Sequence, residues 1–335
     1  MGENSRKYIF VMLGFFVLLM AGMVFAVCVG KYSVTPGESL RIVFGISGGE
    51  SEMTRNVVMQ LRAPRILASV LAGAALSVSG AAYQGVFNNP LVSPEYLGVS
   101  SGACVGAAIA ILLSLGTAYI SLFAFAGGVT AMLLAMAIPV VMRNNSNIFL
   151  VLSGIIVGAA MSSVLGFIKY VADPDTQLAS IVYWTMGSFS YVTYNELLAI
   201  LPIIILPAIA LFFISWWIDV LSMGESSARA LGANVGLVRA IALGCATLLT
   251  AGIVSISGAI GWVGLIIPHF CRLMIGPSNR RLMPLAAVMG GLFMLVVDTL
   301  TRTIGVTEMP VSILTGVIGA PFYCWLLYTQ RKSLL

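Results

Sequence analysis

The segment Ala72-Gly-Ala-Ala-Leu-Ser-Val-Ser-Gly-Ala81 recurs in altered form as Ala251-Gly-Ile-Val-Ser-Ile-Ser-Gly-Ala259. Both copies lie inside long apolar runs, and both join an Ala-Gly step to a Ser-x-Ser-Gly-Ala sequence. Small residues of this kind let helices approach closely in lipid. In the topology derived below, the two copies run in opposite directions, as in the inverted repeats of membrane transporters. Chance recurrence of small residues is the alternative.

The composition around these segments is that of a membrane protein. Of the 335 residues, 59% are hydrophobic and only 9% are charged, whereas a soluble domain carries about 25% charged residues. The mean hydropathy is +1.03. At about 20 residues per span, the chain has room for about ten helices and short loops. We therefore predict an all-α polytopic protein with one transmembrane domain over residues 1–335.

Ten apolar segments are long enough to be considered as spans, and the segment 260–275 is short for a full crossing. A short helix indicates burial inside the bundle, because a helix exposed to lipid must cover about 30 Å. The predicted spans are 8–30, 64–86, 96–115, 118–141, 148–170, 196–218, 235–258, 260–275, 284–301 and 309–330.

The net charge of +5 does not indicate nucleic acid, because the basic residues are scattered between apolar segments. Such residues set membrane orientation, and their distribution favours cytoplasmic N- and C-termini in a multi-pass protein of the inner (cytoplasmic) membrane. The first apolar run follows Arg6-Lys7 and is longer than a signal peptide requires, so we favour an uncleaved helix over a cleaved signal. Arg55, Arg62 and Arg65 form a cationic cluster on the external side.

Enzyme motifs are missing from the sequence. It contains no GxxxxGK[ST] loop for ATP and no HExxH, and the five cysteines form no CxxC pair. The single histidine, His269, follows Pro268 in an apolar segment, and Asp298 is the main acidic residue within a span. An ion-coupled carrier usually needs several such groups, and an intramembrane enzyme needs a paired set. Both remain alternatives to a pore powered by a separate subunit.

Two segments interrupt the helical pattern, and a third segment connects two of the predicted spans. Residues 87–98 carry two prolines, and residues 257–269 are rich in glycine and closed by Pro268. Broken backbone at membrane depth is tolerated where it lines a cavity or is buried in protein; an ordinary tight turn is the alternative for 87–98. Residues 219–235 predict a short cytoplasmic amphipathic helix that would suit a partner's groove, or a solvated linker.

These segments together resemble the FecCD-type permease family of ABC importers, which carry iron chelates, haem and vitamin B12. The resemblance runs from Arg62 to Leu327 and departs from the family at Ala63 and Ser312. The matching stretches are Leu61-Arg-Ala-Pro-Arg65, Gly73-Ala-Ala-Leu-Ser-Val-Ser-Gly80, Gln84, Asn89-Pro-Leu-Val-Ser-Pro94, Leu97-Gly98, Trp184-Thr-Met-Gly-Ser188, Gly224-Glu225, Ala230-Leu-Gly232, Gly261-Trp-Val-Gly-Leu-Ile-Ile-Pro-His269, Arg272-Leu273, Asp298, Arg302, Glu308-Met-Pro310 and Gly319-Ala-Pro-Phe322.

The resemblance implies a type II ABC importer permease fold with ten helices and an inverted repeat. It implies a homodimer with the pathway at its interface, two cytoplasmic ABC ATPase subunits that bind ATP and Mg²⁺, and an extracytoplasmic substrate-binding protein. The chain itself would be a transport subunit without catalytic residues, cofactor or metal. Its small-molecule cargo would most simply be a ferric siderophore, with haem, cobalamin or an oxyanion such as molybdate as alternatives.

The resemblance also implies roles for particular residues. The residues for coupling to the ATPase are Gly224, Glu225, Ala228, Arg229, Leu231 and Gly232. The residues of a cytoplasmic gate are Asn89, Leu91, Ser146 and Asn147. The residues that dock the binding protein are Arg62, Arg65 and Arg302.

Overall fold

A computed structural model describes residues 3–46, 51–143, 146–305 and 307–334, and the regular structure of these residues is helical. A π-helical turn, Val57–Arg62, precedes α4, and a 3₁₀ turn, Pro94–Leu97, precedes α5. The α-helices are α1 Glu3–Cys28, α2 Pro36–Val43, α3 Glu52–Asn56, α4 Ala63–Phe87, α5 Val99–Leu112, α6 Thr117–Val141, α7 Asn147–Val171, α8 Gln177–Thr185, α9 Tyr194–Ser222, α10 Glu225–Ala230, α11 Val235–Ser257, α12 Val263–Ile275, α13 Asn279–Thr301 and α14 Val311–Leu334.

The predicted spans correspond to ten of these helices. Seven, including α1, α9 and α13, are long and apolar enough to cross a membrane, while α5, α12 and α14 are apolar over shorter stretches. The span predicted at 64–86 differs most, because its helix continues without a break from Glu52 to Phe87. The chain is therefore a multi-pass membrane protein.

The antiparallel pair α4 and α13 forms the centre of the bundle. Arg65 lies beside Asp298, Gly73 beside Gly290 and Gly85 beside Asn279. A methyl group on Gly73 would lie 1.9 Å from the carbonyl oxygen of Gly290, so the two backbones touch. The small residues of the quoted segment thus serve close helix packing, as expected in lipid.

The short helix α12 packs beside the second half of α4. The Gln84 amide donates to the Gly264 carbonyl at 3.2 Å, and a methyl group on Gly80 would lie 1.8 Å from the same oxygen. Residues Val263 to His269 are buried. Because other helices bury α12, it does not need the length of a helix that spans the membrane in contact with lipid.

The two halves of the bundle repeat the same packing. The first half runs from α4 to α7 and the second from α11 to α14. Helix α4 packs against α12 and α13, and its counterpart α11 packs against α5 and α6. In each half a segment without α-helix, 88–98 or 258–262, precedes the short second helix. Ser79 contacts Thr250 and Tyr83 contacts Thr247, so α4 and α11 run in opposite directions, as the predicted inverted repeat requires.

Candidate functional site

The predicted coupling segment is a compact turn of helix between α9 and α11. Helix α10 covers Glu225–Ala230, and a glycine stands on either side of it. Gly224 has φ +100° and Gly232 has φ +84°, and residues with a Cβ atom rarely adopt such backbone angles. The glycines therefore allow the chain to turn sharply into and out of α10.

One side of this segment is anchored and the other is exposed. Ala228 is fully buried in a small cluster with Leu221 and Val238. Met223, Leu231 and Leu237 are exposed by 67%, 56% and 56%. Docking of a partner at these exposed residues stays a prediction. We call Met223, Leu231 and Leu237 the apolar docking face.

Charged residues hold α10 to its neighbour. The Arg239 guanidinium donates to the Glu225 carboxylate at 2.7 Å, and Arg229 lies 3.6 Å from the same carboxylate. Arg239 belongs to α11, whereas Arg229 is exposed on α10. Glu225 thus fixes the start of α10 against α11, and Arg229 projects its charge outward.

Asp219 connects the end of α9 to the start of α13. Its carboxylate accepts from the Asn279 backbone N–H at 2.7 Å, the Asn279 side-chain amide at 2.8 Å and the Ser278 hydroxyl at 3.1 Å. A carboxylate at a helix N-terminus satisfies unpaired N–H groups and complements the helix dipole. The coupling segment is thereby tied to the central helix α13. We call this side of the bundle the Asp219 end and the opposite side the Arg65 end.

Arg65 sits at the centre of a charge cluster on the other side. Its Nε donates to Asp298 at 2.9 Å and its Nη1 donates to Glu308 at 2.8 Å. The Asp298 side chain is fully buried, whereas the Glu308 side chain is 35% exposed. The Ser190 hydroxyl also donates to Glu308. One guanidinium therefore joins α4, α13 and the two connections that carry Ser190 and Glu308.

Arg62 and Arg302 close the C-terminus of α1. Arg62 donates to the carbonyl of Val27 at 2.8 Å, and Arg302 donates to that of Ala26 at 2.6 Å. The last carbonyls of a helix have no partner within it and favour cations. Gly30 leaves room for this arrangement, because a methyl group there would lie 2.6 Å from Arg62. The two arginines thus have a local structural task.

All three arginines predicted to dock a binding protein are buried, with residue exposures of 6 to 8%. Docking by these residues stays a prediction. A binding protein that contacted them would have to compete with the contacts that they make within the chain. Three arginines face two carboxylates, so the cluster has excess positive charge. Within the described residues, Arg62 has no carboxylate at ion-pair distance and contributes that excess. Burial raises the pKa of Glu308, but the Ser190 and Arg65 contacts outweigh it and hold the pKa below its usual value.

The predicted gate residues lie on two turns at the Asp219 end. Asn89 accepts from the Leu91 N–H at 2.9 Å, which shapes the turn after α4. The Ser146 hydroxyl accepts from the Phe149 N–H at 3.3 Å and caps α7, with Asn147 as its first residue. The segments meet further along, where a methyl group on Gly154 would lie 2.1 Å from the Tyr96 carbonyl. A gating role for the four residues stays a prediction.

Three residues of these contacts carry no role predicted from the sequence: Ser190, Glu308 and Asp219. Asp219 could have been noticed as an acidic residue directly after an apolar span. Glu308 stands in the quoted Glu-Met-Pro stretch, but its partner Arg65 is 243 residues away. No rule of sequence spacing predicts a contact between residues so far apart in the chain.

The comparisons with known proteins agree with one another. The FecCD transport family model matches residues 18–329. The chain is 40% identical to an iron chelatin transport system permease of Helicobacter pylori over 82% of this chain and 83% of that protein. It is 34% identical to the molybdate import permease of Haemophilus influenzae over 96% of both. A solved metal-chelate type ABC transporter in an inward-facing conformation matches with TM-score 0.86 and 33% identity, covering 95% of this chain and 99% of that one.

Proposed function

The chain belongs to the FecCD transport family and is the permease subunit of an ABC importer, and we propose that its cargo is a metal chelate, most simply a ferric siderophore. The observation that carries this proposal is the joint similarity to an iron chelatin permease and to a metal-chelate transporter. Haem, cobalamin and molybdate are the alternatives, since relatives with those cargoes are 32 to 37% identical.

The assembly we propose is a homodimer in the inner membrane with the Asp219 end and both termini in the cytoplasm. Two ABC ATPase subunits would bind the coupling segments, and an external binding protein would deliver the cargo to the Arg65 end. Asn89 and Leu91, with Ser146 and Asn147, would close the cytoplasmic side. The exposed apolar surface of α7 supports a pathway beside this helix, since it offers a neutral wall to a bulky, weakly held molecule.

ATP would drive alternating access through α10. Closure of the ATPase pair would move α10, and the anchored face at Ala228 would pass the movement to α9 and α11. Asp219 would pass it to α13. Since α13 contacts α4 along its length, both ends of the bundle would respond to one event at the Asp219 end.

Uptake by proteoliposomes tests the function and the cargo together. We expect ATP-dependent uptake of a ferric siderophore when the purified chain, its ATPase and its binding protein are reconstituted. Parallel samples with haem, cobalamin and molybdate separate the cargo alternatives. ATP-independent uptake driven by a proton or sodium gradient would refute the importer assignment, and preference for another cargo would refute only the siderophore.

Removing the charge of Arg62 should weaken docking of the binding protein. We expect Arg62→Gln to lower the affinity about tenfold at low ionic strength, with a smaller effect at high salt, because long-range attraction is screened. The variant leaves no carboxylate orphaned. Arg62→Lys keeps the charge and is the matched control. Surface-plasmon measurements in detergent would contradict the docking proposal if Gln and Lys bound equally well.

A further inference from the structure

The segment that follows α8 is wedged between the ends of two other helices. The first backbone N–H groups of α14, at Val311 and Ser312, donate to the carbonyls of Gly187 and Met186 at 3.0 and 3.2 Å. The Ser188 N–H donates to Ser257 at the end of α11 at 2.7 Å. Residues 186–190 therefore attach α8 to α11 and α14.

A side-chain contact fastens the same segment to the charge cluster. The Ser190 hydroxyl donates to Glu308 and lies 2.8 Å from the Ser188 hydroxyl. Arg65 holds Glu308 at 2.8 Å and reaches Ser190 at 3.3 Å. The path from Arg65 through Glu308 to Ser190 is thus a continuous polar connection to the end of α8.

The two carboxylates on Arg65 differ in environment. Asp298 is fully buried, and if Arg65 moved away it would keep only Arg302, whose Nε lies 3.8 Å from its carboxylate; losing the hydrogen-bonded partner of a buried charge is costly. Glu308 is one-third exposed, so water can replace its contacts at small cost. Asp298 is therefore a fixed partner of Arg65, and Glu308 is an exchangeable one.

Helix α8 also has space into which it can move. One of its faces is packed, with Ile181 fully buried beside Val105 and Ile168. Another face borders a cavity of about 690 Å³ lined by Tyr183, Trp184 and other residues. A helix of nine residues with one packed face and one open face can tilt without unfolding the bundle.

We propose that Glu308 is a positioning residue whose contact with Arg65 and Ser190 forms a latch that holds α8 in place, and that an acidic side chain of the binding protein opens the latch by replacing Glu308 on Arg65. This inference rests on the proposed function, which supplies the binding protein. It explains how a buried arginine can respond to docking, because only Glu308, the partly exposed partner of Arg65, needs to leave. Release of Ser190 then leaves the end of α8 attached only by the backbone hydrogen bonds of residues 186–188, so that α8 can shift at the external mouth of the pathway.

The test uses Glu308→Gln, which keeps the shape of the side chain and removes its charge. Glu196→Gln is the matched control, since Glu196 is a carboxylate at the same end that accepts from Thr193 at 2.9 Å. Both are made in a chain carrying Ile181→Cys, so that a membrane-impermeant thiol reagent reports exposure of α8 above the labelling of the parent chain. The second readout is ATP hydrolysis by the reconstituted complex, with and without binding protein.

We expect Glu308→Gln to raise Ile181→Cys labelling and ATP hydrolysis without binding protein about two- to fivefold, the range that a partly exposed ion pair supports. Glu308→Asp should restore both toward the wild-type values, and Glu196→Gln should change neither. A merely structural role would lower hydrolysis with and without binding protein alike, and that result or unchanged labelling would overturn the latch. Labelling needs only the purified chain, so it still decides the latch if the complex shows no ATP-driven uptake.

Discussion

Gly80→Ala should greatly reduce the yield of folded protein, although it adds only a single methyl group. That group would lie 1.8 Å from the carbonyl oxygen of Gly264 and 2.7 Å from its Cα. Both neighbours are backbone atoms of α12, so no side chain can rotate to make space. Overpacking of a core costs about 1–3 kcal/mol when side chains can adjust. Here α4 and α12 must separate, and we expect a larger loss.

Gly244→Ala is the matched control for this variant. Gly244 lies inside α11, and a methyl group on it would meet nothing within 4 Å. Alanine is favoured over glycine in a helix by about 1 kcal/mol, so this variant should be as stable as the wild type or more so. Yield of monodisperse protein from size-exclusion chromatography and the thermal unfolding midpoint in detergent measure both. Equal yields and midpoints for the two variants would show that α4 and α12 are not in contact.

The apolar pattern predicted the spans well, because lipid imposes one rule on every crossing helix. It also indicated that α12 is buried, since 260–275 is too short to cross. Apart from α10, the short helices between the spans were missed. Helix α8 contains Gln177, Ser180 and Thr185 among its nine residues, so hydropathy could not distinguish it from a loop. The predicted span begins at Pro64, whereas the helix continues back to Glu52, because proline is tolerated in membrane helices when other groups satisfy the backbone.

The candidate sites differ in how far apart in sequence their contacting residues lie, and this decided which of them could be predicted. The coupling segment is local, so its glycines and its amphipathic pattern predicted α10 correctly. The arginine cluster is not local. The charge count found Arg62 and Arg65 on the side where cations are unexpected, but it could not show that Arg62 caps α1 or that Arg65 pairs with Asp298 and Glu308. Such contacts depend on tertiary packing, across 35 residues for Arg62 and more than 200 residues for Arg65.

Helix α13 links these two kinds of site. Its first residue, Asn279, is held by Asp219 beside the coupling segment, and Asp298 near its other end is held by Arg65. Between them, Gly290 packs directly against Gly73. Because a closely packed interior transmits displacement instead of absorbing it, movement of α13 would reach the latch at Glu308. In the proposed mechanism, the two ends of the pathway would then be controlled through one helix.

A charged substitution in the apolar docking face should weaken binding of the ATPase to the permease. We expect Leu231→Glu to reduce ATPase co-purification at least about tenfold, the effect of disrupting one central interface residue, and to bring uptake to background. The fold should survive, because Leu231 is 56% exposed and lies outside the buried cluster around Ala228. A carboxylate at position 231 would have to be buried in an apolar contact on binding, and burying a charge is strongly unfavourable.

Met53→Glu is the matched control for this prediction. Met53 is 64% exposed, so the substitution introduces the same charge at a similarly exposed apolar residue, but it lies in α3 at the Arg65 end. Both variants should elute as the wild type does in detergent, and only Leu231→Glu should lose the ATPase. If Leu231→Glu retained the ATPase and ATP-dependent uptake, the segment from Gly224 to Gly232 would not be the coupling site. If both variants lost the ATPase, added negative charge alone would explain the effect, and the apolar docking face would have no special part in it.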